Sequence, residues 1–441
     1  MLRFVSPALR LTHLAAALML ATPLLATTAQ AAPAAATAQS QTWITLGEQA
    51  FGLLRKIDPD VRSQAQREWI MQTPKPGSHS AALQESRELV HVVHIDNALL
   101  PALSEAIHTD THRCAGFVAH ASRAEAFSAL NSQQEAQSLA RQVVVPSYAI
   151  DNQDQVAPMI TQVQDSQILS TIQTLSDFQN RYYTSTYGVA ASDKIMAMWK
   201  ALAGTRSDIT VEQFTHAGWP QKSVILTIKG TAKPKEIVVM GAHLDSIVSG
   251  KVTNETRAPG ADDDASGIAT LTEVLRVMVA NNYKPRRTIQ FMGYAAEEEG
   301  LLGSAEIAKA YKRQLKKVVG VLQLDMTNYQ GSAKDIYIYT DYTNGAQNTF
   351  LANLASTYLP TLTVGYDKCG YGCSDHASWY GKGYAASLPF EAAFTDDNPY
   401  IHSANDTLAN MGNQASDAAK FAKLTLAFGV ELGTDGPTVK P

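Results

Sequence analysis

Apolar runs and amphipathic segments alternate through the second half of the chain. The pattern is helical from Met159 to about Leu202, and Thr210–Thr215 and Ser223–Gly230 then have the composition of neighbouring strands. Three short apolar runs follow, within EIVVMGAHLD, TIQFMGYAAEEEG and VVGVLQLDMTN. The segments between them, SGIATLTEVLRVMVANN and AEIAKAYKRQLKK, have helical character. This alternation predicts an α/β fold, whose mixed, mostly parallel central sheet carries helices on both faces.

The first half of the chain predicts a separate, smaller unit. Residues 32–42 form a low-complexity tether, and the clearest strand after it is Glu88–Ile95, followed by the helix-like NALLPALSEAIH. The polar span Pro146–Pro158 has the composition of a linker. We therefore expect a small α+β domain with its linker over residues 32–150, and the main domain over residues 151–441.

The N-terminus has the features of a secretory signal peptide. Arg3 and Arg10 precede the apolar run LAAALMLATPLLA, and Ala29–Ala31 has the small-x-small form of a cleavage site. The apolar run is too short to span a bilayer comfortably. We therefore expect residues 1–31 to be removed and the mature protein to be secreted or periplasmic.

Composition narrows the classes of partner. The 441 residues are 45% hydrophobic and 17% charged, with a net charge of −5, so we expect neither nucleic acid nor, after signal cleavage, a membrane as partner. Cys369 and Cys373 lie in CGYGC, where a disulfide can form within a tight turn. The alternative, half of a zinc site, lacks a second cysteine pair. A disulfide would leave Cys114 unpaired.

Charged residues follow the predicted buried strands and occupy two further loops. In open α/β sheets, ligands bind outside the carboxyl ends of the strands. Two histidines with several carboxylates at one edge predict a metal site of nitrogen and oxygen ligands. The chain has no HExxH, G-x-S-x-G or P-loop pattern, and we interpret His376 in SDH as structural. The candidate residues are His243, Asp245, Asp263, Glu297, Glu298, Asp325 and His402.

Six motifs together resemble a known family. They are GAHLDS, APGADDDASGIA, YAAEEEGLLGS, LQLDMTNY, CGYGCSDHASW and IHSANDTL. They closely resemble the secreted bacterial leucyl aminopeptidases with two zinc ions, in metallopeptidase family twenty-eight. The resemblance covers roughly residues 157–433. It implies a zinc exopeptidase-like fold and hydrolysis of N-terminal peptide bonds, with a preference for large apolar residues such as leucine.

The resemblance also implies a set of zinc ligands. Asp263 matches the aspartate that bridges the two ions, and the peptide bond after it is typically cis in this family. His243 and Asp325 are expected to complete one zinc site. Glu298 and His402 are expected to complete the other.

Two further acids match catalytic positions. Asp245 is expected to hydrogen-bond the imidazole of His243, and Glu297 is expected to be the general base. The three consecutive glutamates leave the register ambiguous on this chain alone, and the family pattern assigns the first two. Glu299 is then expected to be an exposed acid near a helix start.

The substrate-facing residues are also implied by the resemblance. Tyr371 matches the tyrosine that hydrogen-bonds the tetrahedral intermediate, although a loop aromatic packed on its turn is the alternative. Met326, Phe390 and Phe394 match positions lining an apolar pocket, for which plain core residues are the alternative. Tyr339 replaces a smaller aliphatic residue, which predicts a narrower or more polar pocket.

Other functions remain open at this point. An aminoacylase, a carboxypeptidase or a single-zinc glutaminyl cyclase would use similar ligands in the same fold. A non-catalytic binding protein on a peptidase scaffold is the alternative from another class, although such proteins usually lose ligands or the base.

The N-terminal segment resembles the pro-regions of these exported peptidases, which implies a maturation protease. Residues 32–150 hold six of the 11 histidines, and His108 and His112 have the i, i+4 spacing of a helical metal site. No motif places partner acids beside them, so we interpret both as structural. We expect the mature protein to be a monomer.

Overall fold

The computed structural model describes residues 41–74, 83–111, 116–120, 122–140, 148–369, 371–394 and 396–434. The predicted signal peptide, nearly all of the tether, His112 and Cys114 lie outside these residues, as does the side chain of His108. Within the described ranges, every helix is either too short or too polar to cross a bilayer.

A small antiparallel sheet with three helices forms the N-terminal part. Its strand order is β2-β3-β1-β4. The predicted strand Glu88–Ile95 lies inside β3, and Ile44, Val93 and Leu103 lie in the apolar core between this sheet and its helices. The α+β prediction for this segment agrees with the structure. The elements are β1 (Gln41–Gly47), α1 (Glu48–Ile57), β2 (Ala65–Pro74), β3 (Leu83–Asp96), α2 (Leu100–Thr111), β4 (Phe117–His120) and α3 (Arg123–Ala140).

The main sheet is mixed, as predicted. Its described strands have the order β11-β10-β12-β9-β7-β8-β6-β5. The central run β12-β9-β7-β8 is parallel throughout, whereas β5 and β6 join antiparallel at one edge. The strands are β5 (Ile209–Phe214), β6 (Ser223–Ile228), β7 (Lys233–His243), β8 (Arg287–Tyr294), β9 (Lys317–Gln323), β10 (Ile336–Tyr339), β11 (Val364–Asp367) and β12 (Ala386–Phe390).

Helices cover both faces of this sheet, which confirms the predicted fold class. Along β7, Val238 and Met240 belong to one apolar cluster, while Ile237 and Val239 belong to another on the opposite face. Successive side chains of a strand point to opposite faces, so a strand covered on both sides is apolar throughout. The helices are α4 (Gln153–Ile160), α5 (Asp165–Ser176), α6 (Thr186–Ala203), α7 (Ala265–Ala280), α8 (Leu302–Arg313), α9 (Gly345–Tyr358), α10 (His376–Tyr380) and α11 (Ser416–Thr434).

The polar span predicted as a linker is folded over most of its length. Tyr148 stacks on Phe350 with ring centroids 5.0 Å apart, and Asn152 donates from its side chain to Glu431 at 2.7 Å. Helix α4 begins at Gln153 and buries its own apolar side chains against α11. Gln153, Asp154 and Gln155 are exposed while Asn152 is buried, so polarity alone gave the wrong prediction here.

Candidate active site

The acids that follow the central strands meet at one edge of the main sheet. Strand β7 ends at His243, Glu297 and Glu298 follow β8, and Asp325 follows β9. These three strands are parallel neighbours, so their carboxyl ends coincide. Two long loops complete the group, since Asp263 precedes α7 and His402 precedes α11.

Asp263 is shared between two groups of side chains. Its Oδ1 lies 2.9 Å from Nε2 of His243, and its Oδ2 lies 2.9 Å from Nε2 of His402. Asp325 Oδ1 lies 3.6 Å from the first imidazole nitrogen, and Glu298 Oε2 lies 3.0 Å from the second. The arrangement is therefore two clusters, each of one imidazole and one carboxylate, joined by a bridging carboxylate.

The chemistry of these donors fits divalent metal ions. Ligand atoms of His243, Asp263 and Glu298 lie within 4.8 Å of one another, as do those of a second group, His243 with Asp264 and Asp325. All of these residues are buried, and the described groups supply no hydrogen bond to Asp325 Oδ1. Buried carboxylates stay charged only beside a cation or hydrogen-bond donors, and imidazole with carboxylate is a ligand set that zinc accepts.

The pKa shifts of the clustered side chains also indicate a site for positive charge. Burial raises the pKa of Asp263, but the imidazoles of His243 and His402 outweigh it and hold that pKa far below its usual range. Burial and the charge of Asp263 raise the pKa of Glu298 to about 7. The protonated histidines thus supply the positive charge that a metal ion would otherwise supply, so metal binding must displace protons.

Asp245 orients the first imidazole and the glutamate loop together. Its Oδ1 lies 3.4 Å from Nδ1 of His243 and accepts from the backbone N–H of Glu297 at 3.0 Å. Its Oδ2 accepts from the backbone N–H of Glu298 at 3.2 Å. Because Nδ1 faces Asp245, Nε2 of His243 is left to face Asp263 and Asp325.

The run Asp262–Asp264 divides into one site residue and two structural ones. Asp264 accepts from the backbone N–H groups of His243, Gly267 and Met326 at 2.9 to 3.2 Å, so its oxygens are used within the protein. Asp262 accepts from the backbone of Asn328 and the side chain of Asn398. Only Asp263 directs its carboxylate at both histidines, and the Asp263–Asp264 peptide is cis, as the resemblance implied.

Two residues that hold this loop were missed in the sequence. Asp406 accepts from the backbone N–H groups of Asp262 and Asp263 at 3.0 and 3.1 Å. Arg181 is buried, and its guanidinium donates to the backbone carbonyls of Leu244 and Gly260 at 3.0 and 2.9 Å. Asp406 lies in the quoted motif IHSANDTL, whereas no local signal marked Arg181.

The side chains of the three consecutive glutamates lie in different surroundings. Glu297 and Glu298 lie at the metal-type cluster, and the oxygens of Glu297 accept no hydrogen bond from the described residues. Glu299 is 4% exposed and accepts from the hydroxyl of Tyr182 at 2.9 Å. The prediction that Glu299 is an exposed acid is therefore wrong. Burial raises its pKa to about 8, although the hydrogen bond from Tyr182 opposes this.

The residues predicted for the substrate pocket lie together. Met326, Phe390 and Phe394 pack in one apolar cluster with Tyr339 and Tyr371. The rings of Tyr371 and Phe394 are 6.3 Å apart, and those of Tyr339 and Phe390 are 4.9 Å apart. The hydroxyl of Tyr339 donates to the carbonyl of Ala392 at 3.3 Å. Met326 follows Asp325 directly, so this cluster adjoins the metal-type site.

A disulfide joins Cys369 to Cys373, with Cα atoms 6.2 Å apart, which confirms the predicted pairing. Tyr371, inside the loop that it closes, is 4% exposed. His376 begins α10 and is fully buried, and burial lowers its pKa to about 3. It is therefore neutral, in agreement with a structural role.

Sequence comparison finds peptidases. Residues 223–427 match the family described as "Peptidase family M28". A probable aminopeptidase of Saccharomyces cerevisiae is 34% identical over 305 residues, which is 66% of this chain and 80% of that protein. A probable leucine aminopeptidase of Arthroderma otae is 37% identical over 290 residues, or 64% of this chain and 77% of that protein. Both of these relatives are fungal, so the resemblance extends beyond the bacterial enzymes.

Solved aminopeptidase structures are also similar to this chain, and the similarity extends over its N-terminal part. The LapA aminopeptidase of Legionella pneumophila superposes with a TM-score of 0.71 at 26% identity, covering 90% of this chain and 99% of that chain. LapB from the same organism gives a TM-score of 0.69 at 29% identity, covering 89% and 99%. The site geometry, the family match and these relatives lead to one conclusion: this chain belongs to peptidase family M28 and is a metallo-aminopeptidase.

Proposed function

We propose that this protein is an exported, zinc-dependent aminopeptidase that removes large apolar residues such as leucine from the N-termini of peptides and proteins. One observation carries the proposal. Asp263 directs one oxygen at His243 and the other at His402, and a further carboxylate stands beside each imidazole. A bridging carboxylate of this kind suits a pair of metal ions better than a single ion.

We assign the ligands of two zinc ions on this basis. His243 and Asp325 would hold one ion, His402 and Glu298 the other, and Asp263 would bridge them. When bound, the ions polarise the scissile carbonyl, lower the pKa of the attacking water and bind the free substrate amine. We do not assign Asp264 as a ligand, because three backbone N–H groups already donate to its oxygens.

Glu297 has the position and the freedom of a general base. Asp245 anchors its backbone, while both of its carboxylate oxygens lie buried without a donor among the described residues. Burial raises its pKa, which favours a group that takes a proton from water and later delivers it to the leaving amine. Tyr371 would donate a hydrogen bond from its hydroxyl to the tetrahedral intermediate of the substrate.

Specificity would come from the aromatic cluster beside Asp325. Met326, Phe390 and Phe394 would offer an apolar surface to the first side chain of the substrate, and Tyr339 in the same cluster would make the pocket narrower or more polar. Burying a leucine side chain in such a pocket contributes roughly 1.5–3 kcal/mol to binding. We therefore expect leucine, methionine and phenylalanine to be preferred over alanine or charged residues.

We further propose that residues 32–150 are a pro-domain that a maturation protease removes, leaving a monomeric secreted or periplasmic enzyme. In the intact chain this domain contacts the loop that carries the base. Ser104 Oγ donates to the carbonyl of Glu298 at 3.3 Å, and the backbone N–H of Ala119 donates to the carbonyl of Gly300 at 3.3 Å. These contacts support the proposal that the domain covers the site and assists the folding of the loop.

The maturation proposal is tested by comparing the unprocessed chain with a chain nicked between residues 141 and 147. A rise of several-fold in leucyl-anilide hydrolysis, with the domain dissociated, would support an inhibitory pro-domain. Equal activity after dissociation would leave only a folding role.

The catalytic proposal is tested by metal removal and by two matched glutamine variants. Chelation should abolish hydrolysis of leucyl-anilide, and zinc should restore it. Glu297→Gln should lose turnover but keep two zinc ions per chain, because glutamine cannot accept the proton and the ligands are intact. Glu298→Gln should lose zinc as well as turnover. Equal zinc loss in both variants would contradict the assigned register.

Substrate blocking separates the same-fold alternatives. Acetylating the N-terminus of a leucyl peptide should stop hydrolysis, since the site is proposed to bind the free amine. Brisk cleavage of acetylated substrates would instead favour an aminoacylase or an endopeptidase.

A further inference from the structure

A second cavity lies between the small N-terminal sheet and the main domain. Its volume is about 700 Å³. Trp69 and His120 line it from the N-terminal side, and Leu302, Tyr342 and Lys382 line it from the main domain. None of the proposed metal ligands lines this cavity, and the proposed base and apolar pocket are also separate from it. It is large enough for a small organic molecule.

The wall of this cavity is apolar and aromatic over most of its area. The rings of Trp69 and Tyr342 meet there with centroids 5.1 Å apart. Phe214, Trp219 and Tyr380 add further aromatic surface. A cavity with such walls favours a ligand with an apolar body, because it removes apolar surface from water.

The cavity wall carries more cationic than anionic side chains. The carboxylate of Glu125 pairs with Lys309 at 2.9 Å, and that of Glu306 pairs with His216 at 2.7 Å. Four cationic side chains face these two acids, although the chain as a whole carries a net charge of −5. The cationic side chains are Lys309, Lys312, Arg313 and Lys382.

Lys382 is the least exposed of the three lining cations that have no carboxylate partner among the described residues, since Lys312 and Arg313 are exposed. It is half-buried, and the described residues offer its ammonium no carboxylate within ion-pair distance. Burial lowers its pKa; the attraction of Glu125 opposes this, and repulsion from Lys309 and Lys312 adds to the lowering. A bound anion would relieve both effects.

The neighbouring histidine adds no second positive charge. Burial and the charge of Lys382 lower the pKa of His120 to about 3, so this imidazole is neutral at physiological pH. The imidazole Nε2 of His120 is 2.9 Å from the hydroxyl of Thr45, which gives the ring a polar partner on the N-terminal side. The polar end of the cavity therefore combines a half-buried ammonium, unpaired within the described part of the chain, with a neutral imidazole.

We propose that this cavity binds a carboxylate attached to an apolar body, with the carboxylate paired to Lys382 and the body packed on Trp69 and Tyr342. A single half-buried ammonium matches a monoanion, and a charge-assisted hydrogen bond of this kind is strong where water is excluded. The ligand is either a free amphiphilic acid or the C-terminal carboxylate of a short peptide. It would contact both domains at once and so strengthen their association.

The test uses calorimetric titration of the intact chain with three probes. These are 4-phenylbutyrate, N-acetyl-leucyl-phenylalanine and the C-terminal amide of that peptide. We expect one saturable site for a carboxylate and at least tenfold weaker binding of the amide. Binding of only the free acid or only the peptide acid identifies the source. Equal binding of the amide, or no saturable binding of either acid, overturns the proposal.

Two variants locate the site. Lys382→Met keeps the apolar stem and removes the charge, and Ala305→Phe fills the cavity and keeps the charge. Each should weaken carboxylate binding at least tenfold and leave leucyl-anilide hydrolysis unchanged. The control Lys312→Met, at a cation that lies over the ring of Tyr384, should bind as the unchanged chain does. Carboxylate binding that persists in Lys382→Met would assign it to another site, including the proposed zinc site, and refute the inference.

Because 4-phenylbutyrate has no bond to hydrolyse, this result does not depend on the proposed aminopeptidase specificity. A failed titration in an enzyme that still cleaves leucyl-anilide would overturn the cavity proposal alone.

Discussion

Replacing Asp245 by asparagine keeps the size of the side chain but removes one of its two acceptor oxygens. Both oxygens are used, since Oδ1 accepts from the backbone N–H of Glu297 and faces Nδ1 of His243, while Oδ2 accepts from the backbone N–H of Glu298. An asparagine amide can serve only one of these two sides. Its NH₂ group would face a donor on the other side.

The magnitude follows from the groups left without a partner. One buried N–H facing a donor costs about 1–3 kcal/mol of unfolding free energy. Loss of the carboxylate that orients a metal-binding histidine lowers metal affinity or activity by about 10–100-fold. Asp245 supports both His243 and the loop carrying Glu297. We therefore expect kcat/KM to fall by about 100-fold.

The assay combines three measurements on Asp245→Asn: urea unfolding, zinc content and kcat/KM on leucyl-anilide. The matched control is Glu299→Gln, another fully enclosed carboxyl in the same region. Burial raises the pKa of Glu299 to about 8, so it is mostly protonated at pH 7 and accepts one hydroxyl from Tyr182. Glutamine should therefore replace it with little loss. Wild-type stability and activity in Asp245→Asn, or equal losses in both variants, would refute the reasoning.

Three further outcomes are expected. Arg181→Met should lower the urea unfolding free energy by about 3–5 kcal/mol, because it leaves buried carbonyls without a donor and the surrounding aspartates without a counter-charge. Burial lowers the pKa of His402, but the facing carboxylates raise it to about 10, so the chelated chain should lose thermal stability as pH rises from about 6.5 to 10. A pH-independent midpoint would contradict this. Gly300→Ala should loosen the N-terminal domain, because the added Cβ would lie 2.4 Å from the ring of Phe117. The measurement is protease sensitivity. Adding Phe117→Ala to this variant should partly relieve the effect.

Local periodicity was sufficient to predict the main domain. The apolar runs in β7, β8 and β9 and the amphipathic segment in α7 were recognisable because a buried strand and a helix each impose a short repeat on the chain. The position of the site followed from the same pattern, since parallel neighbours bring their carboxyl ends to one edge. The polarity of Pro146–Pro158 led to a wrong prediction, because contacts with Glu431 and Phe350 hold its described part, residues 148–158, against the main domain.

The family resemblance singled out Asp263, but only the tertiary structure shows what surrounds each residue of the same type. Asp262, Asp263 and Asp264 are chemically identical, and their surroundings are set by donors from Asn328, Asn398 and Met326 far along the chain. Glu299 is buried because Tyr182 reaches it across more than a hundred residues. Lys382 faces an aromatic cavity because the small N-terminal sheet packs over α8 and α10. A sequence shows which donors and acceptors a protein has, but partner, burial and charge balance depend on contacts between distant segments, which no local pattern records.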